Sequence, residues 1–324
     1  MEKEVKRDMH VTCTLCPRNC GVNRLDGQLG FCGQTNEIRV ARAALHRWEE
    51  PCISGTQGSG TVFFSGCTLR CVYCQNAAIA TGKTGKSISV ERLAEIFLEL
   101  QQQGAHNINL VTPTHFALQI AQALQLAKSH GLHLPIVYNT GSYEKPDTLR
   151  HMEGLVDIYL PDFKYYSPLL SEKYSHAKDY FAVASKAIAE MVRQTGAPQF
   201  TKPSPASSKD GDTSAGFVGE EAMPLMTRGV IVRHLVLPGC TADSRKVIEY
   251  LYRTYGNQIY ISIMNQYTPV GTLTGYPELN RKITRREYDS VVDYAISLGV
   301  ENGFIQEEDT AKESFIPPFD LTGV

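Results

Sequence analysis

The sequence predicts an α/β protein that folds as a partial (β/α)6, TIM-like barrel preceded by a cysteine-rich segment. Its 324 residues suffice for one α/β barrel. From residue 58 onward, short apolar runs bounded by turn residues alternate with longer stretches of helical periodicity. Elements that alternate in this way form parallel strands joined by right-handed helical crossovers. Six such units fit an open barrel.

Six strands are predicted, each a run rich in apolar or β-branched residues between turn residues. They cover residues 61–65, 107–111, 135–139, 156–162, 229–236 and 258–263. Helices are predicted where apolar residues recur every three or four positions. They cover residues 89–103, 115–129, 145–152, 172–194, 243–255 and 284–297. The first helix has a start signal, because Ser89 precedes Glu91. Its apolar face contains Leu93, Ile96, Phe97 and Leu100.

Composition excludes several classes of protein. Hydrophobic residues make up 42% and charged residues 20% of the chain, as in ordinary globular proteins. The formal net charge of -2 argues against a nucleic-acid-binding surface. No apolar run approaches the roughly 18 residues of a membrane span, and residues 1–10 lack the apolar core of a signal peptide. We therefore expect a cytoplasmic protein that binds neither nucleic acid nor membrane.

Three regions are predicted along the chain. Residues 1–57 form the cysteine-rich segment, residues 58–310 form the barrel, and residues 311–324 form an extended tail. Residues 201–222 interrupt the barrel with a stretch rich in Pro, Ser, Gly and charge, so we expect a flexible insertion there. Within the first region, residues 45–51 are predicted to be a packing loop beside the cysteine cluster, with Trp48 as a core or interface anchor.

Nine cysteines carry the strongest functional signal, and eight of them lie within the first 74 residues. A disulfide scaffold would be short and secreted, so clustered thiols in this chain indicate metal or redox ligands. Cys67, Cys71 and Cys74 form a CxxxCxxC run directly after the strand at 61–65. Three thiolates on a short loop can bind three irons of a cubane cluster and leave the fourth iron open. Structural zinc is the alternative, although a closed zinc site normally has a fourth ligand nearby.

A second group of cysteines precedes this run. It consists of Cys13, Cys16, Cys20 and Cys32. Four thiols suffice for a closed site, which would hold either a second iron–sulfur cluster or a structural zinc ion. Cys52 and Cys240 have no partners by spacing and are predicted to be buried thiols.

The CxxxCxxC run, with Tyr73 before its last cysteine, resembles the signature of radical S-adenosylmethionine (SAM) enzymes. The stretch at 58–76 is similar to pyruvate formate-lyase activating enzymes, and the segments CTLCPRNCGVNR and GQLGFC resemble the PflX-type branch. The resemblance implies a radical SAM barrel with a 4Fe–4S cluster that cleaves SAM reductively to methionine and a 5′-deoxyadenosyl radical. That radical would abstract hydrogen from a substrate. The resemblance also implies an electron donor such as flavodoxin or ferredoxin and, for an activating enzyme, a glycyl-radical protein as substrate.

Cofactor contacts are implied at successive strand ends, where ligands bind in such barrels. The implied residues are Tyr73, Gln75, Asn76, Asn139, Asp162, Lys164, Arg233 and Asn265. By the same resemblance, Tyr73 would contact the adenine, and the Arg233 guanidinium could pair with the methionine carboxylate. The family usually has a Gly-Gly-Glu run after the second strand, but this chain has Thr112, Thr114 and His115 there. Thr112 or Thr114 could hydrogen-bond the methionine amino group instead. His115 is either a proton donor or part of a helix start.

Each implied residue has a structural alternative. Asn139 can belong to a turn, and Arg233 can bridge strands. Asp162 and Lys164 can form a surface ion pair, which would contribute little. Three functions therefore remain open. They are a glycyl-radical activating enzyme, a radical SAM enzyme that modifies a small molecule, peptide or RNA directly, and a non-catalytic, metal-stabilised binding module.

Overall fold

The computed structural model describes residues 12–202, 224–269, 271–306 and 316–324 of the chain. These residues form a mixed α/β fold in which helices pack against one large sheet. Residues 203–222 of the predicted insertion lie outside the described residues.

The sheet contains ten strands in the described ranges. They are β1 (Ile38–His46), β2 (Ser59–Phe64), β3 (Lys86–Ile88), β4 (Ile108–Val111), β5 (Ile136–Thr140), β6 (Ile158–Pro161), β7 (Gln199–Phe200), β8 (Met226–Leu235), β9 (Tyr260–Met264) and β10 (Gly303–Ile305). Their order is β10-β9-β8-β6-β5-β4-β2-β1-β3, and β7 pairs with β8. Along this order the pairing is parallel at each step between β2 and β10, whereas β1 is antiparallel to both of its neighbours and β7 is antiparallel to β8.

The predicted fold class is confirmed. All six predicted strands are present as β2, β4, β5, β6, β8 and β9 in one parallel sheet. In the described part of the chain, β3 and β10 are the two edges of this sheet, so the barrel is open. Sequence analysis missed β1, in which Arg39 and Arg42 interrupt the apolar pattern, and the two edge strands, whose three residues are too few to show a period.

Nine α-helices accompany the strands within the described ranges. They are α1 (Pro51–Ser54), α2 (Ala77–Ala80), α3 (Val90–Gln102), α4 (Ala117–Ser129), α5 (Pro146–Arg150), α6 (Pro168–Ser175), α7 (Tyr180–Thr195), α8 (Thr241–Tyr255) and α9 (Arg285–Leu298). The single helix predicted at 172–194 is wrong, because it is two helices, α6 and α7. The first of them ends at Ser175, because the next residue, His176, has a left-handed backbone conformation (φ 54°) that cannot continue a right-handed helix. Among these helices, none has the length and apolar character needed to cross a membrane.

Helix α3 shows how apolar residues at helical spacing form part of the hydrophobic core. The Ser89 hydroxyl accepts a hydrogen bond from the Arg92 backbone N–H and so caps the helix. The four apolar residues predicted for one face of α3 are all buried in the main hydrophobic cluster, together with side chains of β2 and β4. Each such side chain stabilises the fold by roughly 1.5–3 kcal/mol relative to an exposed one. This packing holds the parallel strands in a fixed position.

The carboxyl ends of the parallel strands meet along one edge of the sheet. The register pairs Val111 of β4 with Asn139 of β5, and Asn139 with Leu160 of β6. An isolated bridge then links Asp162, just after β6, with Arg233 of β8. Polar residues that are distant in sequence are therefore neighbours at this edge.

The C-terminal tail packs along β1. The Leu321 N–H donates a hydrogen bond to the Ala41 carbonyl of β1. The Phe319 ring contacts the Phe63 ring edge-on, with 5.5 Å between the ring centroids. Residues 316–324 are thus attached to the strand that precedes the barrel.

Candidate functional site

A cavity of about 240 Å³ opens at the carboxyl edge of the parallel strands. This is where a barrel of this kind places its reactive site. Sequence-predicted residues that line the cavity are Cys67, Cys71, Tyr73, Cys74, Gln75, Asn76, Thr112, Asn139, Asp162, Lys164 and Arg233. Asn265 does not line it; its neighbour Gln266 does. The Gln266 carbonyl accepts a hydrogen bond from the Gln75 side chain (3.1 Å), which ties the end of β9 to the cysteine loop.

The loop that carries the three cysteines depends on a glycine. Gly66 has a positive φ of 92°, and a Cβ atom built on it would lie 2.6 Å from the Cys32 carbonyl oxygen. Only a residue without a side chain fits this turn. The close contact also shows that the N-terminal cysteine segment packs directly against the loop from Cys67 to Cys74.

The three thiols form a donor set that suits an iron–sulfur cluster. Burial raises the pKa of Cys74 to about 12, and the neighbouring thiols of Cys71 and Cys67 add to this shift. Burial also raises the pKa of Cys71, although Lys164 opposes the shift. Buried thiols of this kind become thiolates when a metal replaces their protons, and thiolates select soft metals and iron–sulfur clusters.

In residues 12–202 and the other described ranges, no three His, Cys, Asp or Glu side chains converge closely enough to hold one ion. The thiolates of a cubane cluster each bind a different iron, so they lie farther apart than the ligands of one ion.

A buried ionic network forms the base of the cavity. The Arg233 guanidinium donates to Asp162 (2.9 Å), Glu49 (3.0 Å) and Asn139 (2.7 Å), and Lys164 donates to Asp162 (2.8 Å). Burial opposes the charge on Arg233, but the three carboxylates of Asp162, Glu50 and Glu49 outweigh it and raise its pKa. Burial alone would raise the pKa of Asp162, but Arg233 and Lys164 lower it. Asp162 and Lys164 are therefore not a surface pair, and Arg233 does bridge strands.

Glu49 is a site residue that sequence analysis missed. It lies in the 45–51 segment predicted to be a packing loop, yet its carboxylate lines the cavity and contacts Arg233. Burial raises its pKa, against the opposing effect of Arg233. The available signal was the adjacent acidic pair Glu49–Glu50 just before Pro51. Trp48 is not a core residue either: it is 60% exposed and lines the cavity mouth.

The residues after β4 are organised by a second missed acid, Glu144. The hydroxyls of Thr114 and Thr140 each donate to its Oε1 atom, both at 2.5 Å. Glu144 is buried, and burial raises its pKa to about 7 despite these hydrogen bonds. Thr114 is therefore committed to Glu144. Both threonines line the cavity, but the Thr114 hydroxyl already donates to Glu144, so Thr112 is the better candidate for cofactor binding.

His115 has a structural role. Its ring lies buried beside the cavity wall, and its Nε2 atom is 2.7 Å from the Ser65 carbonyl oxygen. Burial lowers its pKa to about 3, so the ring is neutral at physiological pH. His115 belongs to the short 3-10 turn before α4, which agrees with the predicted helix start and not with a role as proton donor.

The four N-terminal cysteines lie near one another. The Cys20 and Cys32 sulfur atoms flank Gly30, and the Phe31 N–H donates to the Cys20 sulfur (3.2 Å). Burial raises the pKa of Cys16 to about 12, and the other three thiols add to this shift. Cys52 is buried, as predicted, whereas Cys240 is half-buried.

The sequence of this chain is similar to those of known proteins in the region that carries the cavity cysteines. Residues 61–198 match the model of the Radical SAM superfamily. That range contains the three cysteines of the cavity. The uncharacterized protein MJ0674 of Methanocaldococcus jannaschii is 26% identical over 308 residues, which are 91% of this chain and 77% of that protein.

Three solved structures are similar at low identity. Streptococcus suis SuiB bound to precursor peptide SuiA has a TM-score of 0.46 and 12% identity, over 74% of this chain and 46% of SuiB. Methylornithine synthase (PylB) has a TM-score of 0.47 and 13% identity, over 79% of this chain and 68% of that one. HydG, a maturase of the FeFe hydrogenase, has a TM-score of 0.46 and 12% identity, over 77% of this chain and 52% of HydG. The chain spans about half the length of SuiB and HydG.

Proposed function

We propose that this protein is a radical SAM enzyme in which Cys67, Cys71 and Cys74 bind a 4Fe–4S cluster and the adjoining cavity binds SAM. The observation that carries the proposal is that these thiols line the same cavity as the polar ends of β5, β6 and β8. A metal-stabilised binding module would need the thiols alone. It would give no reason for a buried ionic network at the base of the cavity, which is costly to desolvate.

When bound, the cluster and SAM supply a one-electron reduction of the sulfonium, which yields methionine and a 5′-deoxyadenosyl radical. The residues of the chain hold and orient these groups. The three thiolates would ligate three irons, and the loop offers no fourth cysteine. Arg233 uses three of its five N–H donors within the network, so two remain for a carboxylate group of SAM. Thr112 offers a hydroxyl at the end of β4 for the amino group.

Reconstitution with iron and sulfide tests the proposal. The protein should show the absorbance of a 4Fe–4S cluster and, with dithionite and SAM, should release 5′-deoxyadenosine. Cys71→Ala should abolish this release. Cys240→Ala, which changes a thiol outside the cavity wall, is the matched control and should retain it. Uptake of zinc without iron, or release that survives Cys71→Ala, would refute the proposal.

For the substrate, we propose a glycyl-radical protein partner, with flavodoxin or ferredoxin as electron donor. The support is the similarity of the stretch at 58–76 to activating enzymes. A glycyl-radical signal in the electron paramagnetic resonance (EPR) spectrum of a co-expressed partner is the expected result. Transfer of deuterium into 5′-deoxyadenosine from a labelled small molecule or peptide, with no protein radical, would favour direct modification instead.

For the N-terminal cysteines, we propose a second closed metal site, either an iron–sulfur cluster or zinc. Its support is the proximity of four thiols, which is close enough that the neighbouring thiols raise the pKa of Cys16 and of Cys32. Metal analysis of the wild type and of Cys13→Ala distinguishes the two metals. A lower iron content in the variant indicates a cluster, and a lower zinc content indicates zinc. No change in either metal would refute a site at these residues.

A further inference from the structure

Cys71 receives a hydrogen bond from a side chain 104 residues away. The Ser175 hydroxyl, at the last residue of α6, donates to the Cys71 sulfur at 2.9 Å. The Cys67 sulfur accepts only a longer bond, at 3.4 Å, from the Leu69 backbone N–H. Within the described residues, Ser175 is the one side chain that hydrogen-bonds to any of the three cavity cysteines. A substitution can remove this bond without altering the cysteine loop.

Ser175 is the last member of a chain of three hydroxyls. The Tyr165 hydroxyl lies 2.7 Å from the Ser175 hydroxyl, and the Tyr73 hydroxyl lies 2.7 Å from that of Tyr165. All three side chains are buried. Hydroxyls linked in series polarise one another, so each bond strengthens the next.

The direction of the chain follows from the chemistry of its end. A thiolate that binds iron carries no proton, so Ser175 must donate to Cys71. The Ser175 oxygen then accepts from Tyr165, and the Tyr165 oxygen accepts from Tyr73. Every O–H in the series therefore points towards the sulfur.

The position of Ser175 is fixed by contacts of its own backbone and that of its neighbour. The Arg18 guanidinium donates to the Ser175 carbonyl (3.1 Å) and to the Thr68 carbonyl (2.8 Å) in the cysteine loop. The Val72 N–H of that loop donates to the Tyr174 carbonyl (2.9 Å). The end of α6 and the cysteine loop are thus joined independently of the Ser175 side chain, which allows the hydroxyl to be removed without separating them.

We propose that the Tyr73–Tyr165–Ser175 hydroxyl chain raises the reduction potential of the cluster bound by Cys71. Hydrogen bonds to the sulfurs of an iron–sulfur cluster set its potential, because they stabilise the form that carries more negative charge. Reduction adds one electron from an external reductant, and the hydroxyls keep their protons while their bonds to sulfur strengthen. Ser175 and Tyr165 are positioning residues in this scheme, and the inference rests on the proposed function.

The test measures the midpoint potential of the reconstituted cluster in Ser175→Ala and Tyr165→Phe by EPR-monitored redox titration. Ser171→Ala is the matched control, since Ser171 is a buried serine one turn earlier in α6 whose hydroxyl donates to the Pro168 carbonyl. Ser175→Ala should lower the potential. At a fixed reductant potential near the wild-type midpoint, its reduced-to-oxidised ratio should fall about fivefold or more, the scale of one lost charge-assisted hydrogen bond. Tyr165→Phe should shift the potential in the same direction by less, and Ser171→Ala should match the wild type.

The outcomes separate this inference from the proposed function. If the wild type assembles no 4Fe–4S cluster, the proposed function fails. If all four proteins assemble it and Ser175→Ala has the same midpoint as Ser171→Ala, the hydroxyl chain does not tune the cluster. A normal midpoint in Tyr165→Phe beside a lowered one in Ser175→Ala would restrict the effect to the single Ser175 bond and refute the role of the tyrosines.

Discussion

Replacing Arg233 with methionine should destabilise the protein through the carboxylates that it leaves behind. The Arg233 guanidinium contacts Glu49 at 3.0 Å and Asp162 at 2.9 Å, and these three side chains are only 8–19% exposed. Asp162 keeps its ion pair with Lys164 (2.8 Å), so Glu49 is the carboxylate that loses most of its charge compensation. Removal of one partner from a buried ion pair costs about 3–5 kcal/mol, because the remaining charge stays buried and unpaired. Methionine is long enough to fill much of the space, so we expect a loss of about this size at neutral pH.

The loss in Arg233→Met should depend on pH. Burial already raises the pKa of Glu49 above its ordinary value of 4.5, and Arg233 opposes that shift. Without Arg233, the pKa of Glu49 in the folded state rises further. A carboxyl whose pKa is higher in the folded than in the unfolded state stabilises the fold fully when the pH is below its unfolded-state pKa. That contribution is lost as the pH rises through its folded-state pKa. The destabilisation should therefore be smaller near pH 5 than above pH 7.

Urea unfolding of the wild type, Arg233→Met and the double variant Arg233→Met/Glu49→Gln measures both effects. The double variant should recover part of the lost stability at neutral pH, because it no longer buries an unpaired carboxylate. The reasoning is refuted if Arg233→Met lies within about 1 kcal/mol of the wild type at both pH values, or if Glu49→Gln gives no recovery.

Three further predictions concern the loop, the buried acid and the cavity mouth. Gly66→Ala should lower the iron bound per chain after reconstitution, because its Cβ would lie 2.6 Å from the Cys32 carbonyl. Gly104→Ala, also at positive φ but with open space around it, should not, and equal iron in both would contradict this. The pKa of Glu144 is raised to about 7 from an ordinary 4.5, so its contribution to stability is lost as the pH rises across that interval. Glu144→Gln should remove this part of the pH dependence of the urea midpoint, and an unchanged dependence would count against it. SAM binding should change the fluorescence of Trp48, the only tryptophan; calorimetric binding with no spectral change would disprove its place at the cavity mouth.

Much of the fold could be predicted because its signals are local. The six parallel strands and the face of α3 follow from apolar runs and helical periodicity within single segments. The break between α6 and α7 could not be predicted, because it depends on the left-handed backbone of His176, a residue with no strong preference for that conformation. The edge strands β3 and β10, of three residues each, have no period to detect.

The candidate site likewise contains residues that the sequence predicts and residues that it does not. Cys67, Cys71 and Cys74 are placed by an eight-residue loop, so their spacing alone predicts that they act together. Glu49 and Arg233 are 184 residues apart, and only the sheet brings their charges into contact.

The sequence by itself thus determined the alternating barrel and the grouping of Cys67, Cys71 and Cys74 on one short loop, because periodicity and spacing within a short segment need no knowledge of distant residues. The tertiary structure decided which side chains surround those cysteines. Packing of α6 against the cysteine loop brings Ser175 to Cys71, and the sheet register brings Asp162 to Arg233. Hydrogen bonds and charge pairs act over a few ångströms in space, whatever the separation of their residues along the chain.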